Sequence, residues 1–135
     1  MKAAVLFSGG MDSTTLLYEV IHMGLRPVAI TFTYGQKSIK ELEFAKALVR
    51  KLEIQHIVIH FPALGEMARG CALTDPEIPI PEGIPEDDLG RSVIVPNRNM
   101  IFISVAASYC LAWGVRTLFT AVNREDAALS PDCSP

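Results

Sequence analysis

Apolar residues along this chain gather in short dense runs, separated by stretches in which apolar and polar positions alternate at helical spacing. The first run, Ala3 to Phe7, stands almost at the start, and others cover Val28 to Thr33, Ile57 to Phe61 and Thr117 to Val122. Runs this short and continuous predict strands buried on both faces, as in parallel sheets. Leu16, Leu17, Val20 and Ile21 mark one face of a helix that Gly24 is placed to end. Ile39, Leu42, Ala45, Leu48, Val49 and Leu52 mark a second. Met100 to Trp113 is apolar almost all round, which predicts a helix buried on several sides or held at a subunit contact, with Gly114 ending it. The order β, α, β, α, β, loop, α, β predicts an α/β fold, a doubly wound parallel sheet whose ligands sit at the carboxyl ends of the strands.

The connections are short except for Pro62 to Pro96, which holds most of the prolines and the acidic run Glu86 to Asp88. A connection this long predicts a lid over a ligand site, because a ligand-facing motif follows it at once, with a disordered excursion as the alternative; the acidic run reads as a solvated face.

Composition adds bounds. The chain has 135 residues, a formal net charge of -3, 50% hydrophobic and 20% charged residues, which fits a single globular domain, 1–135, with a sizeable core. Mild acidity supplies no clustered basic face for nucleic acid, so a small-molecule ligand is expected. The apolar runs are too short for a membrane span, and no basic start with a cleavage site is seen, so the expected location is cytoplasmic. Cys71, Cys110 and Cys133 are odd in number and widely spaced, which predicts neither a disulfide framework nor a metal cluster. His22, His56 and His60 show no ligand spacing and read as surface or packing residues.

The stretch with chemistry in it is "SGGMDSTT", Ser8 to Thr15, between the first strand and the first helix. Gly9 and Gly10 let the chain turn sharply and bring backbone N–H groups near a ligand. Ser8, Ser13 and Thr14 add hydroxyls, and the helix that follows turns its positive end toward an anion. Asp12 or Ser13 could also serve simply as a helix cap. The loop lacks the G-K-[ST] ending of the common P-loop, where a lysine reaches the terminal phosphates, and it is not G-x-G-x-x-G.

"SGGMDS" resembles the PP-loop of the ATP pyrophosphatases, which hold the β and γ phosphates of ATP and transfer adenylate to a substrate oxygen. Within that superfamily, "TFTYGQKSIKELEFAKAL", "CALTDPEIPIPEG", "VPNRNMIFISVAASYC" and "VNREDAALSPDC" resemble, in order, segments of the 7-cyano-7-deazaguanine synthase family. The resemblance implies an adenine nucleotide alpha hydrolase-like fold and an ATP-dependent ligase that joins 7-carboxy-7-deazaguanine and ammonia, through an adenylated intermediate, on the way to queuosine or archaeosine.

By the same resemblance Ser8, Gly9, Gly10, Met11, Asp12, Ser13 and Thr14 would hold ATP, with magnesium beside the phosphates. Asp12, Lys37 and Arg98 would be catalytic, and Tyr34, Gln36, Asn123, Asp126 and Asp132 would contact the second substrate. Lys37 and Arg98 could instead be a solvated lysine and a carboxylate partner, and Phe32 and Tyr34, at the end of the second strand, could be core.

The family's tail typically reads V-N-x-x-D-Y-S-G-Y-P-D-C-R-P. Here Asn123, Asp126, Pro131, Asp132 and Cys133 keep their places, while Ala127, Ala128, Leu129 and Ser130 stand for Y-S-G-Y and Ser134 for the arginine. The family continues with further helices and a four-cysteine zinc site, so this reads as a C-terminally shortened chain for which zinc is not expected and turnover is expected to be poor. Another PP-loop adenylating enzyme and an impaired nucleotide-binding remnant remain as alternatives. The apolar helix at Met100 to Trp113 leaves room for a homodimer.

Overall fold

The apolar runs pair into one parallel sheet. The computed structural model describes residues 2–35, 39–67 and 97–122. Among these residues the strands are β1 (Lys2–Leu6), β2 (Arg26–Thr33), β3 (Gln55–His60) and β4 (Leu118–Phe119), side by side in the order β3-β2-β1-β4. The register sets Ala4 beside Val28 on one edge of β1 and beside Leu118 on the other. The helices are α1 (Met11–His22), α2 (Ile39–Lys51), α3 (Pro62–Met67) and α4 (Arg98–Ala112).

Alternation along β1 sorts the core into two layers, because successive side chains of a strand point to opposite faces. Ala3, Val5 and Phe7 join Ala29 against Leu17 and Val20 of α1 and Ala45 and Val49 of α2. Ala4 joins Val28, Ile30 and Phe32 against Ala106 and Cys110 of α4. Helices therefore cover both faces, as a doubly wound α/β sheet requires. Alanines at the sheet centre let the helices come close, and each fully buried Leu, Val or Phe contributes about 1.5–3 kcal/mol.

Several boundaries differ from those the sequence predicts. β1 and β2 each begin earlier, at Lys2 and Arg26. β3 runs over 55–60 and is only half-buried, because it lies at the sheet edge. β4 is two residues long where six are expected; its pairing with β1 covers only Ala4 and Val5. The expected helix over 100–113 starts at Arg98, and it is not buried all round. It lays one stripe on the sheet and leaves Met100, Leu111 and Trp113 exposed at 51%, 83% and 65%. The start of the expected lid, 62–67, folds as the short helix α3, which buries Leu64 against Tyr34. A Cβ on Gly65 would collide with the Tyr34 carbonyl, so glycine is what lets α3 sit there. The rest of the proline-rich connection, 68–96, lies outside the described residues.

Three helices end by one device. At α1 the N–H of Gly24 bonds the Ile21 carbonyl (2.9 Å) and that of Leu25 the Val20 carbonyl (3.3 Å). At α4 Gly114 and Val115 repeat the pattern on Leu111 and Cys110. These paired bonds need a left-handed residue after the helix, and glycine supplies it at φ 75° and 66°. At α2 the same bonds run from Glu53 to Arg50 and from Ile54 to Val49, yet the left-handed residue is Glu53, at φ 55°. A side chain there costs about 1–2 kcal/mol, and replacing it with glycine gives back roughly 0.4–1 kcal/mol in chain entropy. Glu53→Gly is therefore expected to stabilise the protein by about 0.5–1 kcal/mol, read as a higher urea midpoint at unchanged slope.

Candidate functional site

The strand order reverses beside β1: the chain steps outward from β1 through β2 to β3, then returns to β4 on the other side. The carboxyl end of β1 is thus the switch point, the place where an open α/β sheet has a crevice. Ser8 to Thr14 lies there.

Gly9 makes the turn at φ 89°. A Cβ on it would lie 2.5 Å from the Glu41 carbonyl oxygen and 3.1 Å from the Ala45 side chain, so the loop is seated directly on α2. Glycine here serves packing as well as turning. Gly10 is the N-cap of α1 with extended backbone angles, and its N–H donates to Ser8 Oγ at 3.2 Å.

The two serines fold the loop on itself. Ser13 Oγ donates to the Gly10 carbonyl (3.1 Å) and accepts from the Ser8 N–H (3.3 Å). A hydroxyl has one proton, so in the 3.1 Å contact between Ser8 Oγ and Ser13 Oγ the donor is Ser8. Ser13 is buried at 7% exposure. Its hydroxyl is fully used inside the loop, which makes it a brace for the turn.

The simple capping role is not what the structure shows, since no side chain of Asp12 or Ser13 caps α1. The first helical bond runs from the Thr14 N–H to the Gly10 carbonyl (3.0 Å), which leaves the N–H groups of Met11, Asp12 and Ser13 in an uncapped first turn. Thr14 Oγ1 is buried with no hydrogen-bond partner among the described residues. An uncapped helix start behind a glycine turn presents backbone N–H groups of the kind that anions accept from. Met11 and Asp12 are exposed in this first turn.

Arg98 is the first residue of α4 and follows Asn97, which is left-handed at φ 55°. Its Nη1 donates to the Tyr34 hydroxyl at 3.3 Å, so among the described residues its partner is a phenol. Tyr34 is 7% exposed beyond the end of β2, and Phe102 of α4 packs on it with ring centroids 5.6 Å apart. Phe102 also stacks on Phe32 at 4.2 Å, so the aromatics are core, with the Tyr34 hydroxyl as their polar tip. The structure brings Tyr34 and Arg98 together at the carboxyl edge of β2. Gln36, Lys37, Asn123, Asp126 and Asp132 lie outside the described residues, as do Cys71 and Cys133. Cys110 is buried in the α4 layer, and burial pushes its thiol above the usual range.

Among the described residues no group of three or more His, Cys, Asp or Glu side chains could hold a metal ion. No described helix is long and apolar enough to cross a membrane.

Two polar pairs on β2 and β3 are not predicted from the sequence. Thr31 Oγ1 lies 2.8 Å from His56 Nε2, and Thr33 Oγ1 lies 2.6 Å from His60 Nδ1. The signal in the sequence is two threonines, two apart, in an otherwise apolar strand, and histidines four apart on the next; the register sets Thr33 opposite His60 and Thr31 diagonal to His56.

A doubly wound α/β sheet with a glycine turn and an uncapped helix start at its switch point defines the class. The particular family follows from comparison with known proteins: the chain belongs to the family of the queuosine biosynthesis protein QueC, whose model matches residues 2–135. It is 44% identical over 135 residues to a 7-cyano-7-deazaguanine synthase of Methanoregula boonei, and 44% identical over 133 residues to one of Caldicellulosiruptor bescii. Against a third, from Psychromonas ingrahamii, identity is 39% over 134 residues. These alignments take in 98–100% of this chain and 60–62% of the relatives, so the chain spans about three fifths of their length. A solved chain from Methanocaldococcus jannaschii, described as a predicted subunit of tRNA methyltransferase, covers 50% of this chain and 34% of its own at 32% identity and a TM-score of 0.42, a likeness too partial to define the fold.

Burial, followed by the charge of Lys46 on α2, pushes the His56 imidazole below its ordinary 6.5. The unfolded chain then takes up a proton at higher pH than the folded one, so the stabilisation is complete above about pH 6.5 and is lost as pH falls through the folded value. Thermal midpoints are expected to drop between pH 7.5 and 5.5, and His56→Gln should flatten that drop.

Proposed function

We propose that residues 1–135 form the ATP-binding unit of a 7-cyano-7-deazaguanine synthase, with Ser8 to Thr14 holding the β and γ phosphates. The observation that carries this reading is the uncapped start of α1 behind the Gly9 turn, with the unpartnered Thr14 hydroxyl beside it. Membership of the QueC family supports the substrate: 7-carboxy-7-deazaguanine, with ammonia as the nitrogen source. A cytoplasmic setting fits those small molecules.

The chemistry accounts for the loop. The substrate carboxylate oxygen attacks the α phosphorus, the bond to the β-phosphate oxygen breaks, and pyrophosphate leaves as an acyl adenylate forms. Charge develops on the leaving group, where N–H donors already in place stabilise it without reorganisation. Ammonia displaces AMP and loses a proton to give the amide. A second ATP adenylates the amide oxygen with release of pyrophosphate and one N–H proton, and loss of AMP and the second N–H proton leaves the nitrile.

Magnesium, when bound, neutralises phosphate charge. It would be held mainly by phosphate oxygens and water with Asp12 as the nearby carboxylate, in keeping with the ion's preference for few protein ligands. Arg98, fixed by Tyr34 at the same sheet edge, offers a guanidinium to an anionic group, with Lys37 as a second cation. Gln36, Asn123, Asp126 and Asp132 are assigned to the deazapurine.

Calorimetric titration with magnesium and ATP is expected to show one site, and Gly9→Ala with Asp12→Ala should weaken it by at least tenfold. Unchanged affinity in the double variant would remove the phosphate role from the loop. Product analysis with 7-carboxy-7-deazaguanine should detect AMP and pyrophosphate; ADP and inorganic phosphate instead would contradict adenylate transfer.

A further inference from the structure

The peptide unit between Phe7 and Ser8 carries the chain from β1 into the loop, and side-chain hydroxyls hold both of its polar ends. Its N–H donates to Ser13 Oγ at 3.3 Å. Its carbonyl accepts from Thr31 Oγ1 at 2.5 Å. Thr31 stands on β2 at 3% exposure, one of two buried polar residues among those described.

The proton count fixes the next contact. Thr31 has one hydroxyl proton, and the Phe7 carbonyl has none to give, so the Thr31 proton goes to Phe7. At 2.8 Å from the same oxygen, His56 Nε2 must then be the donor. A directed chain runs from the edge strand to the loop: His56 Nε2–H to Thr31 Oγ1, Thr31 O–H to the Phe7 carbonyl. The neutral imidazole therefore carries its proton on Nε2.

We infer that Thr31 and His56 are positioning residues for the phosphate loop, holding the Phe7–Ser8 peptide plane in the orientation that anion binding needs. This rests on the reading of Ser8 to Thr14 as the ATP site. The physical case is preorganisation: N–H groups stabilise developing charge only if their direction is set beforehand. Ser13 braces the plane from within the loop, and Thr31 braces it from the neighbouring strand. His56 occupies the acceptor side of Thr31, holds its rotamer and polarises the hydroxyl toward Phe7. Neither residue needs to touch the nucleotide.

The test has two independent arms on the full chain. Nitrogen-15 spectra of the imidazoles, recorded without nucleotide, are expected to show neutral His56 as the Nε2–H tautomer, and the Nδ1–H tautomer would overturn the inference. Titration with magnesium and ATP should give affinity about tenfold weaker in Thr31→Val, which keeps the shape and loses the hydroxyl, with recovery in Thr31→Ser. His56→Gln, which keeps an N–H near the Nε2 position, should bind more tightly than His56→Leu. Wild-type affinity in a folded Thr31→Val protein would overturn the inference. If that variant does not fold, equal affinities in the two His56 variants would do the same. A wild-type chain that binds no ATP would refute the ATP site itself, while the tautomer would still show whether the hydrogen-bond chain exists.

Discussion

Strand β1 is hydrogen-bonded along both edges, to β2 and to β4, and its residues Ala3, Ala4 and Val5 are wholly buried. That double pairing is the constraint from which the candidate site takes its position. A strand held on two edges and two faces cannot shift register without turning its apolar set to the wrong layer. The residue where it ends, and therefore where Ser8 begins, is fixed by the core.

Beyond that edge the chain changes from apolar packing to small polar groups, and each has a separate mechanical use. Gly9 rests on α2 where any side chain would strike the Glu41 carbonyl. Ser8 and Ser13 bond to each other and to the loop backbone. The loop is thereby shaped from its own side chains, and the first turn of α1 stays uncapped. A capping side chain would have stabilised the helix by roughly 1 kcal/mol and filled the same place. Leaving such a group unsatisfied is the kind of local cost that collects at functional sites.

The opposite face reaches the same edge by other means. Phe32, Phe102 and Tyr34 extend the core of the α4 layer upward, and the Tyr34 hydroxyl turns that apolar column into a mount for Arg98. Asn97, one of the residue types that tolerate the left-handed region, sets the backbone just before that arginine. The guanidinium is thus anchored to the sheet through an aromatic stack.

The sequence by itself determined the alternation of strand and helix, the glycine stops at Gly24 and Gly114, and the loop "SGGMDSTT" at a strand-to-helix junction, because each depends on neighbours a few residues apart. Period and turn chemistry are local, so they can be read locally. Element ends were less legible: β4 shrinks to two residues and α4 gains Arg98, since sheet pairing and packing set those limits. Glu53 in a glycine's place gave no warning, because the bonds from Glu53 and Ile54 that close α2 do not depend on the side chain. Tertiary structure alone decided the rest. Only the sheet order sets Thr31 beside both Phe7 and His56, residues 24 and 25 positions away, and only the seating of the loop on α2 shows why Gly9 must lack a side chain. A hydroxyl in a buried strand looks like a packing residue until the strand beside it supplies the carbonyl and the imidazole that give its proton a direction.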